Sequence, residues 1–250
     1  LIFYQGFEQV ERTLLWRYLR TGDVFVDVGA NLGLFTVIAA KRVGDGGRVY
    51  AFEPAAQPRQ RLEENVRLNR FGNVSILPLA LSDEAGLLEI SVPTDGYDAW
   101  SSLAAPIAGT GIRVNRVEAV TWDDFARSGG DLKPTMMKID VEGWENRVLD
   151  GASAMLSAID APLLQVEFTD AAASSAGSSC AALYQHLLDF GYTVCRYDRV
   201  RNQLVPDALR ASYPYDNLYA TKRLARDNQR LRGRAFHRFP PEQATFNGVG

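Results

Sequence analysis

The 250-residue sequence contains no apolar run close to the ~20 residues that a membrane-spanning helix requires. It has two histidines and two cysteines, and Cys180 and Cys195 lack the spacing of a metal site. Nothing in the sequence supports a disulfide bond between them. Glu8 and Glu11 interrupt the first residues where a signal peptide would be apolar. A reducing, cytoplasmic location without a membrane partner is therefore expected.

The sequence also lacks the excess of basic residues that is typical of nucleic-acid-binding proteins, because its net charge is −3. Basic residues are concentrated near the C-terminus, where Asp227 is the single acid among them. They are Lys222, Arg223, Arg226, Arg230, Arg232, Arg234 and Arg238. The body of the protein argues against a nucleic-acid partner, and only this tail favours one.

Strand-like and helix-like patterns alternate along most of the chain. Helices are predicted at 8–20, 33–42, 56–70, 122–128, 144–150 and 178–190. Strands are predicted at 25–28, 48–52, 73–78, 135–140, 162–168, 192–197 and 217–223. A hairpin-like insertion, 87–92 with 112–121, flanks a long loop at 93–112. This order predicts an α/β fold: a mostly parallel sheet with helices on both faces and an antiparallel closing strand.

A single domain is expected for residues 1–222, with helix 8–20 preceding a core at 21–222. Residues 223–250 form the basic tail. Apolar and small residues recur in the tail at helical spacing: Leu224, Asn228, Leu231 and Ala235. This pattern predicts a helix that packs on its own core, or on a second subunit of a homo-oligomer. A binding site for an anionic acceptor is the alternative.

Polar residues recur where the predicted strands end. They are Asp27, Asn31, Glu53, Asp83, Asp140, Glu142 and Glu167. Ligands of open α/β sheets bind beyond the carboxyl ends of the strands, near the point where the strand order switches. The shared placement of these residues therefore predicts one binding site at this edge.

The segment FVDVGANLGLFT predicts a tight strand-to-helix turn that brings bare backbone close to a ligand. Gly29, Asn31 and Gly33 have an i, i+2, i+4 spacing, whereas a dinucleotide fingerprint requires G-x-G-x-x-G. Leu34 stands in the place of the third glycine, and the carboxylate of Asp27 would repel a pyrophosphate. A turn that uses its glycines for geometry alone is the alternative to a ligand site.

S-adenosylmethionine fits this turn better than a nicotinamide dinucleotide does. It has no phosphate, and its ammonium group would be attracted to Asp27, directly or through water. Glu53 suits either cofactor, because a carboxylate accepts hydrogen bonds from both ribose hydroxyls. Asp83 lies where a carboxylate or a backbone group would meet the adenine amino group. The predicted cofactor-binding residues are Asp27, Gly29, Asn31, Gly33, Glu53 and Asp83.

Several segments together resemble the FkbM-type methyltransferases. They are FVDVGANLGLFT, VYAFEP, ALSD, VTWDDF and, most specifically, KIDVEGWE followed by VLDGA. The resemblance covers roughly residues 8–222, and it departs from the family at Trp122, where leucine is usual, and at the basic tail.

The resemblance implies a class I Rossmann-like methyltransferase. Such an enzyme transfers the methyl group of S-adenosylmethionine to a hydroxyl of a sugar or a secondary metabolite, so a small hydroxylated molecule is the expected partner. A nicotinamide-dependent oxidoreductase, a nucleic-acid methyltransferase and a protein that keeps only the fold are the alternatives.

Methyl transfer to a neutral hydroxyl requires alignment of donor and acceptor, and a base that removes the proton. Asp140 and Glu142 lie two apart at a strand end, where they are expected to point to different sides. Their like charges would raise the pKa of one of them toward neutrality. They are the predicted catalytic pair, and Glu167 supports them. The alternatives are a helix-capping role for Glu142 and an ion pair for Glu167. No metal is predicted, although three convergent acids would also suit Mg²⁺.

Three further features receive an interpretation from the sequence. Lys138 lies inside the strand of the KID segment, where burial requires a partner, and a structural ion pair with one of the acids is favoured over a substrate contact. His186 and His237 are given no catalytic role. The loop at 93–112 carries Trp100 and is predicted to set acceptor specificity.

Overall fold

The computed structural model describes residues 8–93 and 112–232. Most of the predicted specificity loop, with Trp100, lies outside the described residues. The tail beyond Arg232, with His237, also lies outside them.

The described chain contains eleven strands in two sheets. In chain order they are β1 (Val24–Val28), β2 (Arg48–Phe52), β3 (Val74–Leu77), β4 (Leu79–Leu81), β5 (Gly86–Pro93), β6 (Ile112–Val120), β7 (Met136–Ile139), β8 (Leu163–Phe168), β9 (Thr193–Asp198), β10 (Gln203–Pro206) and β11 (Asp216–Thr221). The main sheet has the order β10-β9-β11-β8-β7-β1-β2-β3. Strands β3, β2, β1, β7 and β8 are parallel, and β11 is antiparallel to both β8 and β9. The strand order switches at β1, between β2 and β7, which locates the expected ligand edge.

Nine helices connect these strands within the described ranges. They are α1 (Gln9–Tyr18), α2 (Leu34–Val43), α3 (Ala56–Leu68), α4 (Trp122–Ser128), α5 (Glu145–Asp150), α6 (Ser153–Ser157), α7 (Asp170–Ser175), α8 (Cys180–Asp189) and α9 (Leu224–Arg232). None of them is long and apolar enough to cross a membrane.

The side chains of each central strand alternate between two hydrophobic cores, as the two-residue period of a strand requires. Val26 and Val28 of β1 belong to the core under α4 to α8. Phe25 of the same strand belongs to the core under α1, α2 and α9. Helix α3 packs with α2 over Ala51 of β2. Both faces of the sheet are therefore covered, and its polar ligands have to approach from an edge.

A second, three-stranded sheet has the order β4-β6-β5. Strands β5 and β6 form the predicted hairpin, with antiparallel register from Gly86 opposite Ala119 to Pro93 opposite Ile112. Strand β4 joins β6 in parallel. The chain enters this sheet directly after β3, so the insertion begins at the outer edge of the main sheet.

The predicted α/β architecture and most element positions are confirmed. Four short elements were not predicted from the sequence: β4, β10, α6 and α7. Each has three to six residues, which is too short for a hydrophobic period to develop. Their positions depend on packing against neighbouring elements.

Helix α9, the described part of the basic tail, packs against α1 and β10. Leu231 is fully buried in the core under α1. Asp227 is also buried and accepts hydrogen bonds from the hydroxyls of Tyr18 and Thr221. Arg230 forms an ion pair with Asp23. These contacts support the interpretation of the tail helix as one that packs on its own core.

Trp122, the departure from the family pattern, is fully buried at the start of α4. Its ring meets the rings of Phe52 and Phe125 at centroid distances of 6.4 and 5.9 Å. It fills space in the core, which explains why a large side chain is accommodated there. Cys180 and Cys195 are both free and buried.

We expect Asp227→Ala to lower the free energy of unfolding by about 2–4 kcal/mol, because it leaves two buried hydroxyls without their acceptor. The corresponding fall in Tm is roughly 5–15 °C in a calorimetric or circular-dichroism melt. Arg226→Ala, at an exposed position of the same helix, is the control and should leave Tm nearly unchanged. Equal melting temperatures for the two variants would contradict a structural role for α9.

Candidate active site

The glycine turn between β1 and α2 requires unusual backbone angles. Gly29, Asn31 and Gly33 have φ angles of 74°, 49° and 86°, in the left-handed region that favours glycine and asparagine. A Cβ atom at Gly29 would overlap the carbonyl oxygen of Asp140, and one at Gly33 would overlap the side chain of Leu62. The two glycines are therefore required both by backbone conformation and by close packing.

Glu53 fastens this turn to the end of β2. Its carboxylate accepts hydrogen bonds from the backbone N–H of Asn31, at 2.8 Å, and of Ala55, at 2.9 Å. Only 5% of the residue is exposed. Burial raises the pKa of Glu53 to about 7, and the two backbone hydrogen bonds oppose that rise. Glu53 and the turn lie at the same edge of the sheet, as expected, and the hydrogen bond between them is a finding of the structure.

A buried lysine links two of the predicted acids. Lys138 of β7 is the register partner of Asp27 on β1. Its Nζ atom lies 2.7 Å from Oδ2 of Asp140 and 4.0 Å from Oδ1 of Asp27. Burial opposes a charge on this amine, but the attraction of Asp140, Asp27 and Glu8 raises the pKa of Lys138 above its ordinary value. Lys138 thus forms the structural ion pair that its position in a buried strand requires.

Asp27 makes one strong hydrogen bond and has one unsatisfied oxygen. Thr36 of α2 donates to Oδ2 at 2.6 Å. Oδ1 is buried without a hydrogen-bond partner among the described residues. Burial raises the pKa of Asp27, and Lys138 and Thr36 oppose the rise.

Asp140, Glu142 and Glu167 bring their carboxylates together, and one oxygen from each lies within 4.8 Å of the other two. We call these three residues the acid cluster. Asp140 and Glu142 converge instead of pointing to different sides. Glu142 lies beyond the end of β7 with φ of 53°, so strand alternation does not apply to it.

Burial and neighbouring negative charges make Glu142 and Glu167 weaker acids than usual, because they raise the pKa of each. Burial, followed by the negative charges of Asp140 and Glu145, raises the pKa of Glu142 to about 7. Burial and the charges of Asp140, Glu142 and Glu145 raise the pKa of Glu167 to about 10. Glu167 accepts a hydrogen bond from Thr169 on Oε1, while Oε2 has no partner among the described residues. The ion pair that the sequence offered as an alternative role for Glu167 is not found in this part of the chain.

Glu145 shapes the loop that carries Glu142. Its Oε1 accepts hydrogen bonds from the backbone N–H groups of Val141 and Gly143, both at 3.1 Å. Gly143 has φ of 102°, and a Cβ there would overlap the carbonyl oxygen of Ala172. Glu145 therefore satisfies backbone N–H groups before α5. The glutamate at the start of a predicted helix was the available sequence signal.

The contacts of Asp83 differ from those of the other predicted cofactor-binding residues. Its carboxylate forms an ion pair with Arg147 of α5 and accepts a hydrogen bond from Ser82. Ser82 in turn accepts from the indole N–H of Trp144, beside the loop of Glu142. Although partial burial opposes ionisation, these bonds lower the pKa of Asp83. A contact with adenine stays a prediction.

Two residues near the acid cluster had no signal in the sequence. Glu8, at the start of α1, accepts a hydrogen bond at 3.3 Å from the hydroxyl of Tyr215. Burial and the nearby charge of Asp140 raise the pKa of Glu8 to about 7, and Lys138 opposes the rise. Residues so distant in sequence are brought to the site only by the packing of α1 beside β11.

The described residues fit S-adenosylmethionine, because two of their hydrogen-bond acceptors are buried and have no donor among these residues. Oδ1 of Asp27 and Oδ1 of Asn31 are buried without hydrogen-bond partners among these residues. The ammonium and hydroxyl groups of the cofactor are donors, so their chemistry complements both atoms. Glu53 stands at the end of the neighbouring strand, where a ribose would meet it.

Known proteins that this chain resembles include methyltransferases. Residues 27–194 match the model of the methyltransferase FkbM domain. The chain is 29% identical to the hexuronic acid methyltransferase AglP of Haloferax volcanii over 65% of its own length and 63% of that protein. It is 33% identical to the 31-O-demethyl-FK506 methyltransferase FkbM of Streptomyces tacrolimicus over 53% of its own length and 60% of that protein. The chain thus spans less than two thirds of these relatives.

Among solved structures, the FkbM methyltransferase of Methylobacillus flagellatus KT has a TM-score of 0.50 at 17% identity. The match covers 82% of this chain and 47% of that one, and it supports the fold alone. The predicted class I fold and the predicted cofactor are confirmed. The chain belongs to the FkbM methyltransferase domain family, whose methyl donor is S-adenosylmethionine.

Proposed function

We propose that the protein is an O-methyltransferase that methylates a hydroxyl of a small polyhydroxylated acceptor, such as a sugar acid or a secondary metabolite. The observation that carries the proposal is the acid cluster, which lies directly beside the glycine turn through the contact of Gly29 with Asp140. The names of the two relatives support the same acceptor chemistry.

The donor side of the site consists of the turn and two carboxylates. Asp27 would accept from the ammonium group of the cofactor, and Glu53 from its ribose hydroxyls. Gly29 and Gly33 would set the shape of the turn, and Asp83 would meet the adenine. S-adenosylmethionine supplies a methyl group on a positively charged sulfur, which an acceptor oxygen attacks in line.

The acceptor side would be the acid cluster. Glu142 is the proposed base through one of its two carboxylate oxygens, because it lies on the loop beyond β7 and is partly exposed, so an acceptor hydroxyl can reach it. Asp140 would orient the acceptor while Lys138 holds its Oδ2 atom. Glu167, on the next strand, would fix the position of the other two carboxylates. The proton of the hydroxyl passes to Glu142 and from there to water.

Firm anchoring of the charged side chains behind the reacting groups supports the proposal as well. In-line transfer depends mainly on holding donor and acceptor in position. Asp27 and Lys138 lie in adjacent strands of a sheet that is covered on both faces. Side chains anchored in this way have little freedom to move, which favours a preorganised site.

We expect Glu53→Ala to weaken binding of S-adenosylhomocysteine by about 10–100-fold, because the ribose loses its charged acceptor and the turn loses its fastening. Isothermal titration calorimetry measures the affinity. Glu63→Ala, at an exposed position on α3, should bind as the wild type does. Unchanged affinity in Glu53→Ala would contradict the assigned donor site.

We expect Glu142→Gln to lower kcat by about 10²–10⁴-fold, because the acceptor proton loses its base. The measurement is S-adenosylhomocysteine release with a panel of hexuronic acids, neutral sugars and polyhydroxylated macrolides. The affinity for S-adenosylhomocysteine should stay within about twofold, since Glu142 is not assigned to the donor. Glu84→Gln, an exposed acid, is the control. Full turnover in Glu142→Gln would remove the residue from the mechanism. Tight binding of S-adenosylhomocysteine without turnover of any panel member would contradict the proposed acceptor class.

A further inference from the structure

The three carboxylates of the acid cluster lie close enough together to repel one another when they are ionised. One oxygen from each of Asp140, Glu142 and Glu167 lies within 4.8 Å of the other two. Like charges at such distances repel each other strongly where water is scarce. Such a group of acids relieves its repulsion by binding protons or a cation, and among the described residues Lys138 forms an ion pair with one member, Asp140.

Lys138 places its positive charge closest to Asp140, one of the three acids of the cluster. Its Nζ atom lies between Oδ2 of Asp140 and Oδ1 of Asp27. Asp27 is buried and carries a carboxylate of its own, so the lysine serves two acids before Glu167 is considered. The second oxygen of Asp140 is not engaged by this ion pair.

Glu167 provides an independent indication of a missing ligand. Only 4% of the residue is exposed. Thr169 donates to Oε1 at 3.0 Å, whereas Oε2 is buried and has no hydrogen-bond partner among the described residues. A buried acceptor of this kind is costly unless something binds it. The carboxylate of Glu167 belongs to the acid cluster and also interacts with Asp140, so a cation bound there would satisfy it in place of a shared proton.

We propose that Asp140, Glu142 and Glu167 bind a divalent cation of the Mg²⁺ or Mn²⁺ type. All three ligands are carboxylate oxygens, which hard divalent cations prefer. Around an octahedral Mg²⁺ ion, neighbouring ligand oxygens lie about 3 Å apart and opposite ones about 4.2 Å apart. From the observed limit of 4.8 Å, the carboxylates therefore have to close by up to about 2 Å to coordinate one ion.

The proposed ion would define the acceptor more narrowly, and this part of the inference rests on the proposed function. Three protein ligands leave coordination positions for two oxygens of the acceptor. A vicinal diol or a hydroxy acid presents two such oxygens at chelating distance, and a sugar acid contains both groups. Coordination lowers the pKa of a bound hydroxyl, which assists its deprotonation.

The experiment measures metal binding directly. Wild-type protein is stripped with EDTA, dialysed and titrated with Mn²⁺, and free Mn²⁺ is followed by electron paramagnetic resonance, with and without saturating S-adenosylhomocysteine. One Mn²⁺ per chain is expected, with Mg²⁺ as a competitor. Asp140→Asn and Glu167→Gln should each weaken Mn²⁺ binding by about tenfold or more, because each removes one charged ligand.

The matched control is Asp131→Asn, an equally conservative change at an exposed acid. Asp131 precedes β7 while Asp140 follows it, so the two acids lie at opposite ends of the same strand. Asn also tolerates the left-handed backbone of position 131, where φ is 58°. This variant should bind Mn²⁺ as the wild type does. A melt of each variant shows whether it is folded.

The outcomes separate this inference from the proposed function. Absence of Mn²⁺ binding to the wild type at millimolar concentration, with or without S-adenosylhomocysteine, would overturn the metal site. Equal binding by wild type, Asp140→Asn and Glu167→Gln would overturn it too, since the ion would then lie elsewhere. Turnover that survives EDTA would leave the methyltransferase intact and refute the role of the ion. Mn²⁺ binding at the cluster in a protein that binds no S-adenosylhomocysteine would support the site and contradict the proposed function.

Discussion

A lysine can remain charged inside a covered sheet only if carboxylates surround it, and the arrangement of this site depends on that constraint. Lys138 lies in the middle of the sheet, 2.7 Å from Asp140 on its own strand end and 4.0 Å from Asp27 on the next strand. Asp27 belongs to the donor side of the proposed mechanism and Asp140 to the acceptor side. The amine of Lys138 therefore offsets negative charge on both the donor side and the acceptor side of the site. It lies over the ring of Phe35, 5.1 Å from the ring centroid, where water is excluded.

The fold places these charges through the register of three parallel strands. Asp27, Lys138 and Gln165 are consecutive register partners across β1, β7 and β8. Strand alternation directs them toward the face covered by α1 and α2, while their neighbours Val28 and Ile139 fill the opposite core. These three side chains form a row of polar groups, because each occupies a single position in a buried strand where an apolar residue would otherwise face the core. The cost of this row is offset by the ion pairs of Lys138 with Asp27 and Asp140, by the bond from Gln165 to Asn217 and by the bond from Thr36 to Asp27.

The sequence predicts the sheet, the glycine turn and the placement of Glu53 at the same edge, because each follows from a local pattern or from the rule for strand ends. The hydrogen bond between Glu53 and Asn31 is known only from the structure. It also identifies the three acids of the cluster. It does not predict that Asp140 and Glu142 converge, since that depends on the left-handed backbone at Glu142. The capping role of Glu145 and the approach of Glu8 were missed for different reasons. The first is a local hydrogen bond that competes with several alternatives, and the second depends on the docking of α1, which no local pattern encodes.

The contact between Gly29 and Asp140 has a consequence for how the protein can change. The turn touches the carbonyl oxygen of Asp140, not its side chain. Every residue has that carbonyl, so the junction constrains position 29 to glycine without depending on the side chain at position 140. That side chain is constrained instead by its ion pair with Lys138. A substitution at position 140 would therefore leave the junction its carbonyl oxygen and deprive the buried lysine of its nearer carboxylate.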